Sequence, residues 1–132
     1  MNFNKISFRV RYAETDQMGV VYHGNYVQYL EVGRVEWLRV LGVSYKELEK
    51  KGVILPVTSL RIDFKKSALY DDLITVETRL KKMPLVKIEF DYKIYNENLE
   101  ILVDANTVLA FLDAKTKRPI KCPEDILEKI QL

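Results

Sequence analysis

The residues of this chain that could do chemistry are few and lie close together. His23 is its only histidine and Cys122 its only cysteine. The run Arg11-Tyr12-Ala13-Glu14-Thr15-Asp16-Gln17-Met18-Gly19-Val20-Val21-Tyr22-His23-Gly24-Asn25-Tyr26 holds a carboxylate, glycines, that histidine and the start of a predicted helix. A helix N-terminus presents unpaired N–H groups and about half a positive charge. A carbonyl oxygen that turns negative during a reaction is stabilised there. Gly24 has no side chain, so a ligand can approach the backbone closely. Asp16 could attack such a carbonyl or activate a water. Spacing alone also fits an Asp in a polar turn and a His packed on a helix, and by itself favours that plainer use. Glu14, two residues before Asp16, reads as a solvated or ion-paired carboxylate. Cys122 stands beside Pro123, with the one histidine engaged elsewhere and no partner to lower its pKa; it reads as core filler.

The elements that must position these residues follow from periodicity. Ile6, Phe8, Val10 and Tyr12 alternate with Ser7, Arg9 and Arg11, which predicts a strand over 6–12. A polar loop ending at Gly19 follows. A helix is predicted over Asn25–Leu41, with Asn25 or His23 near its cap and Gly42 at its stop. Its apolar arc is wide, with Tyr26, Tyr29, Leu30, Trp37, Leu38 and Leu41 joined by Val27, Val32, Val35 and Val40, so the helix should be wrapped by other structure. Glu31 and Arg34 are spaced to pair along it, although Arg34 falls on the apolar side. Ser44 to Glu47 is a capping-box pattern for a short second helix. From Leu60 the period changes to two. Four strands are predicted, around Leu60–Lys65, Ile74–Leu80, Val86–Ile94 and Ile101–Leu112, the last apolar on both faces. The short breaks at Tyr70-Asp71-Asp72, Met83-Pro84 and Asn96-Glu97-Asn98 favour hairpins and a meander. Pro123–Ile130 should close the chain as a helix. The class is α+β, one long helix embraced by a five-stranded antiparallel sheet.

Composition narrows the function. With 132 residues the chain has the size of one domain, 1–132, without repeats or linkers. Lys and Arg number 21 against 19 Asp and Glu, a net charge of +2, which argues against nucleic-acid binding by bulk charge. One cysteine makes no internal disulfide, and one His with one Cys makes no structural zinc cluster. No apolar run approaches the roughly 20 residues that cross a bilayer, and Met1–Lys5 lacks the apolar stretch of a signal peptide. A cytoplasmic protein is expected.

The segment from Thr15 to Tyr26, followed by Tyr29-Leu30-Glu31-Val32-Gly33-Arg34, closely resembles the hotdog-fold thioesterases of the 4-hydroxybenzoyl-CoA thioesterase superfamily, and within it the YbgC-type acyl-CoA thioesterases associated with the Tol–Pal system. The predicted strand order extends the likeness over the whole chain. The resemblance implies a hotdog fold and puts the family's catalytic carboxylate, as nucleophile or general base, on Asp16. It puts the backbone amide that polarises the thioester carbonyl at His23, whose side chain is usually placed in the active site. It assigns Tyr22, Asn25 and Tyr26 to the pocket and the helix start, and a permissive role to Gly24. It implies an acyl-CoA substrate, no cofactor or metal, and a homodimer or dimer of dimers with the site between subunits.

The expected reaction is hydrolysis of an acyl-CoA to a carboxylic acid and CoA. Two alternatives stand beside it. One is a hotdog protein that binds or senses acyl-CoA without cleaving it. The other is a hotdog dehydratase or hydratase, whose histidine–acid motif is not found here. Lys65-Lys66, Lys81-Lys82 and Lys115 to Lys121 are the candidates for contact with CoA phosphates.

Overall fold

Where apolar and polar residues alternate, the chain runs as strand. In the computed structural model, which describes residues 3–130, the long strands are β1 (Phe3–Arg9), β3 (Val57–Phe64), β4 (Leu73–Leu80), β5 (Lys87–Tyr95) and β6 (Ile101–Ala110). They form one antiparallel sheet in the order β1-β4-β5-β6-β3. The long helix α1 (Asn25–Leu41) lies against β1 and β4. The short helix α2 (Tyr45–Lys50) follows it, and α3 (Glu124–Lys129) ends the described chain. The sequence does not signal the two-residue strands β2 (Val53–Ile54) and β7 (Leu112–Asp113), which pair with each other. The α+β class and the five-stranded sheet around one long helix are as predicted.

The inner face of the sheet makes the core. Ile74, Val76, Thr78 and Leu80 of β4 and Ile88, Phe90, Tyr92 and Ile94 of β5 are buried there. Helix α1 presents Tyr26, Tyr29, Leu30, Trp37 and Leu38 to this face. Trp37 meets Phe90 edge-on at 5.0 Å between ring centroids, and Tyr29 meets Phe8 at 5.2 Å. At Gly33 the helix backbone lies close against β4. A Cβ there would sit 2.5 Å from Thr78 Oγ1 and 2.7 Å from Val76 Cγ1, so only glycine lets α1 seat this deeply. Gly42, at φ +94°, stops the helix as expected, and the Val43 N–H bonds back to Leu38 O at 2.8 Å. Ser44 Oγ accepts the Glu47 N–H at 3.1 Å and caps α2.

Several expectations are corrected. Strand β1 runs from Phe3 and stops at Arg9 instead of continuing to Tyr12, because its partner β4 begins opposite it at Leu73. Tyr12 opens a single 3₁₀ turn (Tyr12–Glu14) and is exposed. Val27, Val32 and Val40 lie outside the core, since the sheet covers only one side of α1. Arg34 points inward and donates to Tyr45 Oη at 3.0 Å and Tyr92 Oη at 3.2 Å, not to Glu31. Tyr92 in turn shares a 2.6 Å bond with Thr107. Strand β6 is not apolar throughout: Asp104 and Asn106 are half-buried on its outer face, in line with Val108 and Ala110. The strands after α1 do not form a simple meander. Strands β4, β5 and β6 do, but β3 and β4 lie on opposite sides of the pair β5–β6, so the segment 65–72 crosses from one flank of the sheet to the other. That crossover runs past the start of α1.

Candidate functional site

Asp16 opens a tight turn. Its N–H bonds to Val20 O at 2.9 Å, its carbonyl takes the Gly19 N–H at 3.0 Å, and its Oδ1 accepts the Met18 N–H at 2.9 Å. Gly19 has φ +79°, the left-handed conformation such a loop needs before the chain turns back. Thr15 and Val21 then pair across the loop, Val20 bridges to Leu69, and the Val21 N–H bonds to Ala68 O at 2.9 Å. The Asp16 loop therefore hangs on the crossover.

The helix start differs from the expected cap. Gly24 occupies the cap position without a capping side chain, and Asn25 is the first helical residue. The Asn25 amide is spent elsewhere, donating to Glu14 O at 2.9 Å. The N–H groups of Tyr22, Asn25 and Tyr26 go to the carbonyls of Glu14, Tyr22 and His23. Those of His23 and Gly24 find no acceptor among the described residues. Two free donors thus stand at the positive end of a 17-residue helix.

Side chains surround this point. The Tyr22 ring is half exposed and lies 4.5 Å from the His23 ring, centroid to centroid. It also covers Gly24, where a Cβ would come within 2.7 Å of Tyr22 Cε2. Gly24 accordingly makes room for Tyr22 as well as for a ligand. The His23 imidazole is exposed and faces Phe64 of β3 at 6.4 Å. Tyr26 is buried, meets Phe64 edge-on at 5.5 Å, and accepts the Ala68 N–H at its phenol oxygen at 3.1 Å. Burial raises its phenol pKa. A cleft of about 250 Å³ opens here, lined by His23, Tyr26, Phe64, Lys65, Lys66 and Ser67 among others. Asp16, Tyr22, Gly24 and Asn25 do not line it. A larger cleft of about 390 Å³ lies between charged residues on the outer face of the sheet, including Arg61, Asp91 and Asp104; it contains no helix end and no expected site residue. Among the described residues, no three His, Cys, Asp or Glu side chains converge as metal ligands would.

Glu14 does more than its place in the sequence signals. Its Oε1 accepts the Arg11 N–H at 2.8 Å and the Tyr29 hydroxyl at 3.0 Å, and its Oε2 pairs with the Arg11 guanidinium at 3.2 Å. Its backbone carbonyl takes both the Tyr22 N–H at 2.9 Å and the Asn25 amide. Burial pushes its carboxyl pKa up, but the Arg11 N–H, the Tyr29 hydroxyl and the Arg11 charge outweigh that and hold it below the ordinary value. The ion-paired role expected for Glu14 is present, and the contact to Tyr29 adds to it. Only the coincidence of Glu14 with an inward-facing tyrosine could have signalled this. Cys122 is buried and its thiol is pushed up to about 12 by burial and the nearby Asp125 and Glu124.

Residues 10–130 match the family model of the thioesterase-like superfamily. The chain is 39% identical to YneP of Bacillus subtilis over 92% of this chain and 88% of that protein. It is 33% identical to the acyl-CoA thioesterase YbgC of Haemophilus influenzae over 93% of this chain and 92% of that one. The DHNA-CoA thioesterase of Staphylococcus aureus superposes with a TM-score of 0.87 at 39% identity, covering 92% of this chain and 81% of the other. With this match, and with one long helix seated on a five-stranded antiparallel sheet, the chain belongs to the thioesterase-like superfamily of hotdog proteins.

Proposed function

We propose that this protein hydrolyses acyl-CoA thioesters to a carboxylic acid and CoA. The observation that carries the reading is the pair of unclaimed N–H groups at His23 and Gly24, beside a cleft and next to the anchored Asp16 loop. The thioester carbonyl oxygen sits at these donors, which stabilise the charge that develops on it. Asp16 either attacks the carbonyl carbon itself or takes a proton from the water that does. The tetrahedral intermediate collapses with cleavage of the C–S bond, and the CoA thiolate leaves with the electron pair; where Asp16 is the nucleophile, water then hydrolyses the mixed anhydride, releasing the acid and restoring the carboxylate. The His23 ring, with Tyr26 and Phe64, bounds the acyl side of the cleft. Lys65, which forms no ion pair among the described residues, is the cation at its mouth for a CoA phosphate; Lys66 beside it is held by Glu100. The relatives named as acyl-CoA thioesterases support the substrate class.

The working form is a homodimer of single-domain chains in the cytoplasm. Strand β3 is a sheet edge, and its inner-face residues Leu60 and Phe64 are 44% and 54% exposed. An uncovered edge with an apolar face invites a second strand. A second copy seated there would wall the cleft beside Phe64 and complete it. Light scattering should give twice the chain mass, and Phe64→Glu should halve it.

The decisive experiment is thiol release from a panel of acyl-CoAs by Asp16→Asn and Asp16→Ala. Turnover should fall by at least about a hundredfold with the melting temperature preserved; near-parental turnover would remove Asp16 from the reaction. One observation favours a second reading. Asp16 Oδ1 already holds the Met18 N–H, which is how aspartate serves a turn. A protein that binds acyl-CoA without cleaving it would show saturable binding and no thiol release from any chain length.

A further inference from the structure

We infer that Glu14 is a positioning residue for the reaction, the hub that fixes the Asp16 loop against the free N–H groups of α1. Four residues from three segments converge on it. Its carboxylate holds the Arg11 N–H before the loop and the Tyr29 hydroxyl in α1. Its carbonyl holds Tyr22 at the end of the loop and the Asn25 amide at the first residue of the helix. Asp16 is two residues from this hub, and His23 follows Tyr22 directly. The separation between the attacking group and the carbonyl-binding donors is therefore set through Glu14.

The other ties on the loop do not reach across this separation. The crossover grips Val20 and Val21 but touches neither Asp16 nor the N–H of Gly24. Helix α1 cannot do it alone, because the Asn25 side chain turns back to Glu14 instead of capping the helix. The carboxylate bonds also keep the 3₁₀ turn Tyr12–Glu14 from rolling. Without them the two bonds to the Glu14 carbonyl lose their fixed acceptor. A shift of about 1 Å in such a pair can cost on the order of a hundredfold in rate.

The inference rests on the thioesterase reading for its kinetic readout, and its test is built to separate the two. The variants are Glu14→Ala, which removes all three carboxylate bonds, and Glu14→Gln, which keeps an acceptor oxygen for Tyr29 and the Arg11 N–H. Acyl-CoA turnover is measured by thiol release, and the same proteins are followed by amide hydrogen exchange. Glu14→Ala should lower kcat at least tenfold with KM within threefold and the melting temperature within a few degrees. Glu14→Gln should recover most of that kcat. The amides of Asp16, Gly19, Tyr22 and Asn25 should exchange faster in Glu14→Ala, while those of β5 and β6 stay as in the parent. Parental kcat in Glu14→Ala, or a loss that Glu14→Gln does not recover, overturns the role. If the parent chain itself releases no thiol, the thioesterase reading fails. The positioning claim then stands or falls on the exchange pattern, and unchanged exchange at those four amides refutes it.

Discussion

Gly33→Ala sets two known magnitudes against each other. In the interior of a helix, alanine is preferred over glycine by about 1 kcal/mol, so propensity alone predicts that the variant is more stable. The packing predicts the opposite. The added methyl would lie 2.5 Å from Thr78 Oγ1 and 2.7 Å from Val76 Cγ1, against ordinary contact at 3.4 Å and beyond. Neither neighbour can step aside, because Thr78 and Val76 are both fully buried in β4, between β1 and β5. The helix must rise by most of an ångström, loosening Tyr29, Leu30 and Trp37 from the sheet. Overpacking of this kind costs about 1–3 kcal/mol, and two contacts this short put the cost in the upper part of that range. The net effect is a loss of roughly 1–2 kcal/mol, or roughly 4–8 °C in melting temperature for a domain of this size. Urea unfolding should show a lower midpoint with an unchanged slope. Thr78→Ala in the same chain removes the nearer obstacle, so the Gly33→Ala penalty should shrink by at least about 0.5 kcal/mol in that background. A Gly33→Ala protein that melts at or above the parent would refute the close seating of α1 on β4.

Other expectations follow from the same geometry. Gly24→Ala forces only the exposed Tyr22 ring to move, so its melting temperature should stay within about 3 °C while acyl-CoA turnover changes. Cys122, buried and with its thiol pushed up to about 12, should not react with a disulfide reagent at pH 8 until the chain is unfolded in denaturant; rapid labelling of the folded protein would contradict its burial. The folded-state pKa of Glu14 lies below its ordinary 4.5, so the stability it contributes is present above that value and lost as pH falls through the folded pKa. Glu14→Gln should therefore flatten the acid limb of a plot of melting temperature against pH, and an unaltered limb would count against the Arg11 and Tyr29 contacts. Arg34→Ala leaves Tyr92 and Tyr45 without their buried donor and opens a cavity, so it should destabilise by about 2–4 kcal/mol in urea unfolding.

Much of this was legible in the sequence, for definable reasons. The extent of α1 follows from its periodicity and the stop at Gly42, both of them local. The long strands follow from alternation in the same way. Contacts distant in sequence were not legible. The register that ends β1 at Arg9 is set by where β4 begins, more than sixty residues later. The exposure of Val27 and Val40 depends on which side of α1 the sheet covers, which no helical wheel records. The residues brought to the helix start could be read from their motif, yet what holds them could not. Glu14 reads in the sequence as a solvated or ion-paired carboxylate, and its bond to Tyr29 is hidden because that partner lies fifteen residues away on another element. Gly33 did carry a signal, a glycine in the middle of an apolar helix face, where propensity argues against it.

The crossover at 65–72 has a consequence for how separable the motif is. Residues 15–26 are contiguous and recognisable as text, but Val20 and Val21 are fastened to Leu69 and Ala68, and Tyr26 to Ala68. Val10 is likewise pinned between Asp71 and Asp72. A peptide carrying the motif, or the motif transplanted onto a foreign helix, would bring the letters without the clasp. During synthesis the nascent chain would hold Asp16, His23 and all of α1 before the segment at 65–72 that clasps them emerged. Its chemistry begins only when the second half of the chain has arrived.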